Sequence, residues 1–162
     1  MSVISSTVRQ RNRVPIGVIG PRDCTPAQYA TAEAIGRGLA RMGLPILCGG
    51  RGGVMEAVCK GAAAEGGLTI GLLPEADPTL GNDYASVLVA TGIGEARNAL
   101  IERASFCLIA IGDSFGTLSE VALGRQFGKV VIGLDGAPRV EGVRQVNSVE
   151  TALEQIAELL KC

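Results

Sequence analysis

From residue 14 onward, short apolar runs alternate with longer stretches in which apolar positions recur every three or four residues. The runs at 14–19, 45–48, 68–73, 87–90, 106–111 and 130–134 have the length and composition of buried strands, and a further short strand is expected near 144–146. Helical patterns lie between them. Thr25-Pro26-Ala27-Gln28 reads as a capping box with proline at the first helical position, and the helix it opens places Ala32, Ile35, Leu39 and Met42 on one stripe. Gly36 and Gly38 are expected to let that helix approach a sheet closely. Further helices are expected after 49–53 through Ala64, over 95–104, from Leu118 to about Phe127, and from Ser148 onward, with 74–83 as a loop.

Strands alternating with helices of this length predict a doubly wound α/β domain, a parallel sheet covered by helices on both faces. In such a sheet every loop that follows a strand lies along one edge, and ligands bind there at the switch in strand order. Gly20-Pro21-Arg22-Asp23, Gly49-Gly50-Arg51-Gly52-Gly53, residues 91–97 and residues 112–117 are therefore expected to line one rim. Three of the four stretches carry an arginine: Arg22, Arg51 and Arg97.

The stretch from Ala110 to Glu120 gathers the most chemistry. A strand ends, a glycine loop turns, and a helix begins whose free backbone N–H groups suit an anion. Thr117 and Glu120 also form Thr-x-x-Glu, a helix capping box, so Glu120 has a structural reading beside a functional one. The loop 49–53 is not GxGxxG, because Met55 stands at the third glycine, and it lacks the Gly-Lys-Ser/Thr end of a Walker A loop. Spacing alone leaves a phosphate cradle or a set of tight turns. The rim arginines are likewise anion ligands or solvated surface charges.

Composition narrows the classes. With 162 residues and 47% apolar content the chain can bury one full core, expected over residues 14–162, with 1–13 as a flexible tail. That tail holds Arg9, Arg11 and Arg13 among hydroxyl residues, a composition shared with organelle transit peptides. A net charge of −1 and 3% aromatic content provide neither a basic footprint nor stacking platforms, so no nucleic-acid partner is expected. No apolar run approaches a membrane span, so no membrane partner is expected either. Histidine is absent, which removes imidazole catalysis and the commonest zinc ligand; no protein-ligated metal is expected, and any catalysis must use carboxylates, arginine or lysine. Cysteines 24, 48, 59, 107 and 162 include no CxxC pair and point to a reducing cytoplasm. Cys48, Cys59 and Cys107 read as small core residues, and Cys24, beside Arg22 and a helix start, as the one with a case for reactivity.

Taken together, Gly49-Gly50-Arg51-Gly52-Gly53-Val54-Met55, Gly94-Glu95-Ala96-Arg97-Asn98 and Gly112-Asp113-Ser114-Phe115-Gly116-Thr117-Leu118-Ser119-Glu120 resemble the LOG (lonely guy) superfamily of Rossmann-like proteins. The resemblance runs over nearly the whole chain. Its phosphoribohydrolase branch carries a Pro-Gly-Gly-x-Gly-Thr-x-x-Glu loop and an Arg-Lys pair. Gly116, Thr117, Glu120 and Arg97 match, whereas Gly112, Asp113 and Ser114 replace Pro-Gly-Gly, and Asn98 replaces the lysine. The opening Ile16-Gly17-Val18-Ile19-Gly20-Pro21 and the Ala96-Arg97-Asn98 element are more similar to the molybdenum cofactor carrier proteins and their bacterial relatives.

Both branches imply a bound phosphate. The resemblance implies cofactor-binding roles for Gly20, Arg22, Gly49, Gly50, Arg51, Gly52, Gly53, Arg97, Asn98, Gly112, Asp113, Ser114, Gly116, Thr117 and Glu120. Asp113 is out of place beside a phosphate unless it turns outward or bonds a sugar hydroxyl or pterin N–H. The expected function is a carrier or storage protein for a pterin-type molybdenum cofactor. The alternative is a phosphoribohydrolase releasing base and ribose 5-phosphate from a nucleoside 5′-monophosphate, with Arg97 and Glu120 catalytic and Glu120 facing the ribose. A DNA-processing role is disfavoured by charge and length. The resemblance implies a homo-oligomer, dimer or tetramer. Surplus apolar positions on the helix over 95–104 and on the helix from Leu118, with Leu123 among them, are expected to form its interface.

Overall fold

The computed structural model describes residues 13–161. Residues 1–12, nearly all of the expected tail, and Cys162 lie outside them. Seven strands, β1 (Ile16–Ile19), β2 (Ile46–Cys48), β3 (Thr69–Leu73), β4 (Val87–Ala90), β5 (Leu108–Ile111), β6 (Val131–Leu134) and β7 (Arg144–Gln145), form one parallel sheet ordered β4-β3-β2-β1-β5-β6-β7. Five helices connect or follow them: α1 (Pro26–Arg41), α2 (Val54–Ala64), α3 (Arg97–Ala104), α4 (Phe115–Gln126) and α5 (Val149–Lys161). This is the Rossmann-like α/β architecture expected from the alternating pattern.

The strands β1, β5 and β6 are buried along their whole length because the sheet is covered on both sides there. Alternation along each strand divides its side chains between two cores. Ile16, Val18, Ile109, Ile111 and Ile132 pack with Ile35 of α1, Val58 of α2 and Ile156 of α5. Ile19, Leu108, Ala110 and Val131 pack with Ile101 of α3 and Val121 of α4. The expected capping box forms: Gln28 N–H donates to Thr25 Oγ1 at 3.1 Å, and Thr25 N–H to Gln28 Oε1 at 3.0 Å. Ser148 Oγ likewise accepts from Thr151 N–H at 3.1 Å at the start of α5.

Three expectations change. Gly36 and Gly38 serve helix contacts rather than an approach to the sheet: a Cβ on Gly36 would collide with the Val58 carbonyl of α2, and one on Gly38 with Leu153 of α5. Gly61 mirrors Gly36 from the other side, its α-carbon lying against the Glu33 carbonyl, so α1 and α2 touch backbone to backbone. The sheet is also not covered on both faces throughout. The connection from β3 to β4 holds only a 3-10 turn, Pro78–Leu80, so Val87 and Val89 of β4 stay 45% and 41% exposed. Finally, the helix expected over 95–104 opens as a 3-10 turn, Gly94–Ala96, before α3 proper.

Cys48 and Cys59 sit in the core as free thiols with their Sγ atoms 3.6 Å apart, and Cys107 is buried as expected. Cys24 is partly buried, and burial, with Asp23 and Glu56 adding to it, raises its thiol pKa. That weakens the case for a reactive thiolate.

Candidate functional site: a cleft at the reversal of strand order

From β1 the chain steps outward through β2, β3 and β4, and β5 then begins the opposite half of the sheet. The loops after β1 and β5 diverge at that point and leave a crevice at the carboxyl ends of the strands. A cleft of about 190 Å³ lies there. Gly20 and Arg22 reach it from the loop after β1, and Gly49 and Arg51 from the loop after β2. Arg97 enters from the start of α3, and Ser114, Gly116, Thr117 and Glu120 from the first turns of α4. Nine of the residues picked from sequence thus meet in one place. Val18, Ile19, Pro21, Met55 and Glu95 complete the walls.

The helix start differs from the one expected, and the difference decides the reading of Glu120. Ser114 is the N-cap of α4: its Oγ accepts from Thr117 N–H at 3.1 Å and lies 2.9 Å from Thr117 Oγ1. The helix therefore begins three residues before Leu118, Thr117 lies inside its first turn, and the Thr-x-x-Glu capping box does not exist. Glu120 has no capping duty and faces the cleft. The N–H groups of Phe115 and Gly116 have no acceptor within the helix, which leaves the positive end of α4 directed at the cleft.

Six candidates fall outside the cleft, each for a local reason. Gly112 donates its N–H to Leu134 O at 3.1 Å, so that group is spent on the sheet. Asp113 turns outward, exposed, and lines a separate cavity of about 560 Å³ with Asp135, Arg139 and Asn147. Gly50 packs on Gly71 and Leu73, and a Cβ at Gly52 would meet only Glu56 Oε2 at 3.9 Å. Gly53 is a spacer: with φ of +66° it presses against the Pro21 and Arg22 carbonyls, and Val54 N–H then donates to Pro21 O at 3.2 Å. Asn98 points away into the protein, 5% exposed, with a buried Oδ1 that has no hydrogen-bond partner.

The three rim arginines differ in their freedom. Arg22 is exposed at the cleft mouth. Arg51 forms an ion pair with Glu75, a residue of the loop after β3 that the sequence reading passed over. Arg97 is only 4% exposed, against the expectation of a solvated rim charge or a simple anion ligand. Its Nε donates to Leu72 O at 2.8 Å and its Nη2 to Gly49 O at 3.4 Å, while Nη1 lies 3.8 Å from Glu95 Oε2.

The carboxylates have weaker compensation. Burial pushes Glu120 up to about 7, with Arg97 opposing and Glu95 adding to the rise. Glu102 of α3, fully buried and not among the site residues expected from sequence, is pushed up to about 9 by burial, with the charge of Glu120 adding to it and its own backbone N–H and Arg97 opposing. Only an acidic residue at a core position, one helical turn after Asn98, could have flagged it. The arrangement can hold an anion at the α4 N-terminus, beside a buried guanidinium and a carboxyl that titrates near neutrality. Among the described residues, no group of three or more His, Cys, Asp or Glu is placed to hold a metal ion. No described helix is long and apolar enough to cross a membrane.

Comparison with known proteins identifies relatives of the whole chain. An uncharacterised protein of Archaeoglobus fulgidus is 41% identical over 138 residues, 85% of this chain and 91% of that one. The molybdenum cofactor binding protein of Rippkaea orientalis superposes with a TM-score of 0.85 at 36% identity, covering 90% of this chain and 97% of its own. The molybdenum cofactor carrier protein of Chlamydomonas reinhardtii gives 0.83 at 33%, covering 91% and 99%. The model of the SLOG cluster4 family matches residues 13–160, a span that holds the whole sheet and every wall of the cleft, and the chain belongs to that family.

Proposed function

We propose that the cleft binds a small phosphate-bearing ligand and that the protein carries or stores a pterin-type molybdenum cofactor. The observation that carries this reading is the convergence on one cleft of the Ser114-capped N-terminus of α4 and the buried cation Arg97. Two molybdenum cofactor proteins that superpose along nearly their whole length support the choice of cargo. The phosphate is held by the Phe115 and Gly116 N–H groups, with Arg22 and Arg97 supplying positive charge. The pterin ring offers N–H donors, from which the Glu120 and Glu95 carboxyl oxygens can accept.

At about 190 Å³ the cleft is smaller than the roughly 300–1,000 Å³ of ordinary ligand sites, which supports a site completed by a second copy. Leu100 on α3 and Phe115 and Leu118 on α4 are 46%, 94% and 42% exposed, and Val87 and Val89 are exposed on the uncovered part of the sheet. A homo-oligomer packed through α3 and α4 covers them.

Gel filtration of the protein mixed with isolated molybdenum cofactor tests the reading, with pterin fluorescence and molybdenum content followed in the protein peak. Co-elution near one cofactor per chain is expected. A second reading, nucleoside 5′-monophosphate phosphoribohydrolase, is favoured by one observation: Glu120, freed from capping, lines the cleft with Arg97. Release of free base from a nucleoside monophosphate panel, with no cofactor co-elution, would replace the first reading with the second.

A further inference from the structure

Glu102 has no exposed surface, and neither of its carboxylate oxygens has a hydrogen-bond partner. Its Cγ lies 3.8 Å from where a Cβ on Gly124 would sit, which places it in the seam between α3 and α4. Glu120 lies one turn before Gly124 on α4, and Asn98, with its own unpartnered buried Oδ1, one turn before Glu102 on α3. The seam therefore runs from the cleft wall into the core with the Glu102 carboxyl and the Asn98 Oδ1 both lacking a hydrogen-bond partner. An ionised carboxylate buried without a partner costs several kcal/mol, so the seam requires a proton on Glu102.

The charges around the pair can be counted. Facing Glu102 and Glu120 are Arg97 from α3 and Glu95 from the preceding 3-10 turn, while β1 and β5 present only apolar side chains and Gly17. Arg97 spends Nε and Nη2 on backbone carbonyls and turns Nη1 toward Glu95. Of the other cleft cations, Arg51 is neutralised by Glu75, and Arg22 stands exposed at the mouth. Three carboxyl groups thus share one buried guanidinium before any anion arrives.

We propose that an anion enters this cleft together with a proton from solvent, which is taken up by Glu120, and that Glu102 is the positioning residue behind it, still protonated where Glu120 titrates. The proposal deepens the reading of the cleft as a phosphate site and rests on it. Protonation of Glu120 removes the negative charge nearest the incoming anion and converts the carboxyl from acceptor to donor, able to bond an anion oxygen. Burial places the titration of Glu120 near neutrality, so loading is favoured on the acid side of pH 7 and release on the alkaline side.

Inorganic sulfate is the probe, because its charge stays constant between pH 5 and 9. Calorimetric titration in buffers of different ionisation enthalpy should show close to one proton taken up per sulfate at pH 8, with affinity falling about tenfold per pH unit above the Glu120 midpoint. Glu120→Gln should abolish both, while Glu102→Gln, which keeps a neutral hydrogen-bonding group, should preserve both. Sulfate binding with no proton uptake would overturn the proposal. Carbon-13 NMR of glutamate carboxyls in the ligand-free protein supplies an independent reading: two should titrate above pH 6, one disappearing in each variant. If all titrate below pH 5.5 the proposal fails even where sulfate binds. If sulfate does not bind but the two high titrations are present, the phosphate-site reading fails and the acid pair stands.

Discussion

The Nε of Arg97 donates to the carbonyl oxygen of Leu72 at 2.8 Å, tying the first residue of α3 to the end of β3, and Nη2 reaches the Gly49 carbonyl at the end of β2. Arg97 is thus at once a wall of the cleft and a clamp holding α3 on the sheet. Arg97→Ala is expected to lose anion affinity and also about 1.5–3 kcal/mol of stability, the range for hydrogen bonds to charged groups. Urea unfolding beside a sulfate titration separates the two losses. An unchanged midpoint of unfolding would show the clamp to be idle.

Ser114 connects the fold to the site in a simpler way. Its Oγ caps α4 by accepting from Thr117 N–H, and the same helix end offers N–H groups to an anion. Ser114→Ala should cost about 1 kcal/mol by thermal or urea unfolding. It should also weaken sulfate binding, because the frayed first turn no longer aims those groups. Ser114→Asp should restore the cap and still repel the anion, a contrast that a titration can read directly.

Glu102 and Glu120 set the pH dependence of stability. Their folded pKa values, about 9 and about 7, stand above the ordinary carboxyl value of 4.5. Between the ordinary and the raised values the folded state binds more protons than the unfolded one, so stability falls as pH rises. The fall involves both groups from about 4.5 to 7 and Glu102 alone from about 7 to 9. Thermal melts of the wild-type protein should decline across that window, and Glu102→Leu should flatten the decline. The variant is expected to be more stable at pH 8 by about 1–3 kcal/mol, the penalty of an unsatisfied buried polar group.

Leu100 and Leu118 test the proposed interface. Both are exposed in the single chain, whereas Leu123, the position favoured by periodicity, is half-buried and a charge there risks the fold itself. The double variant Leu100→Glu and Leu118→Glu should sediment as a monomer with unchanged circular dichroism. Persistence of the wild-type oligomer would move the interface elsewhere.

The chain's own pattern determined most of the fold. Short apolar runs and period-3.6 signals placed every strand and α-helix within a few residues, and their alternation required parallel strands with all rim loops on one edge. These signals are local, carried by neighbouring side chains, and so are readable without contacts. The rim loops that hold Arg22, Arg51, Arg97 and Glu120 followed from the same logic.

Tertiary structure alone decided which of these residues share a cleft and what each is free to do. Ser114 rather than Thr117 became the cap because the helix starts where its polar end meets the cleft, a choice that apolar spacing does not register. Arg51 met Glu75 and Arg97 met the Leu72 carbonyl through residues more than twenty positions apart in the chain. Gly36 reads as a close approach to the sheet until α1 and α2 are seen to touch, with Gly61 opposite it. Glu102 looks like an ordinary charged helix residue; its burial is a property of the α3–α4 seam, created when two helices from separate crossovers close over the same sheet face and exclude water.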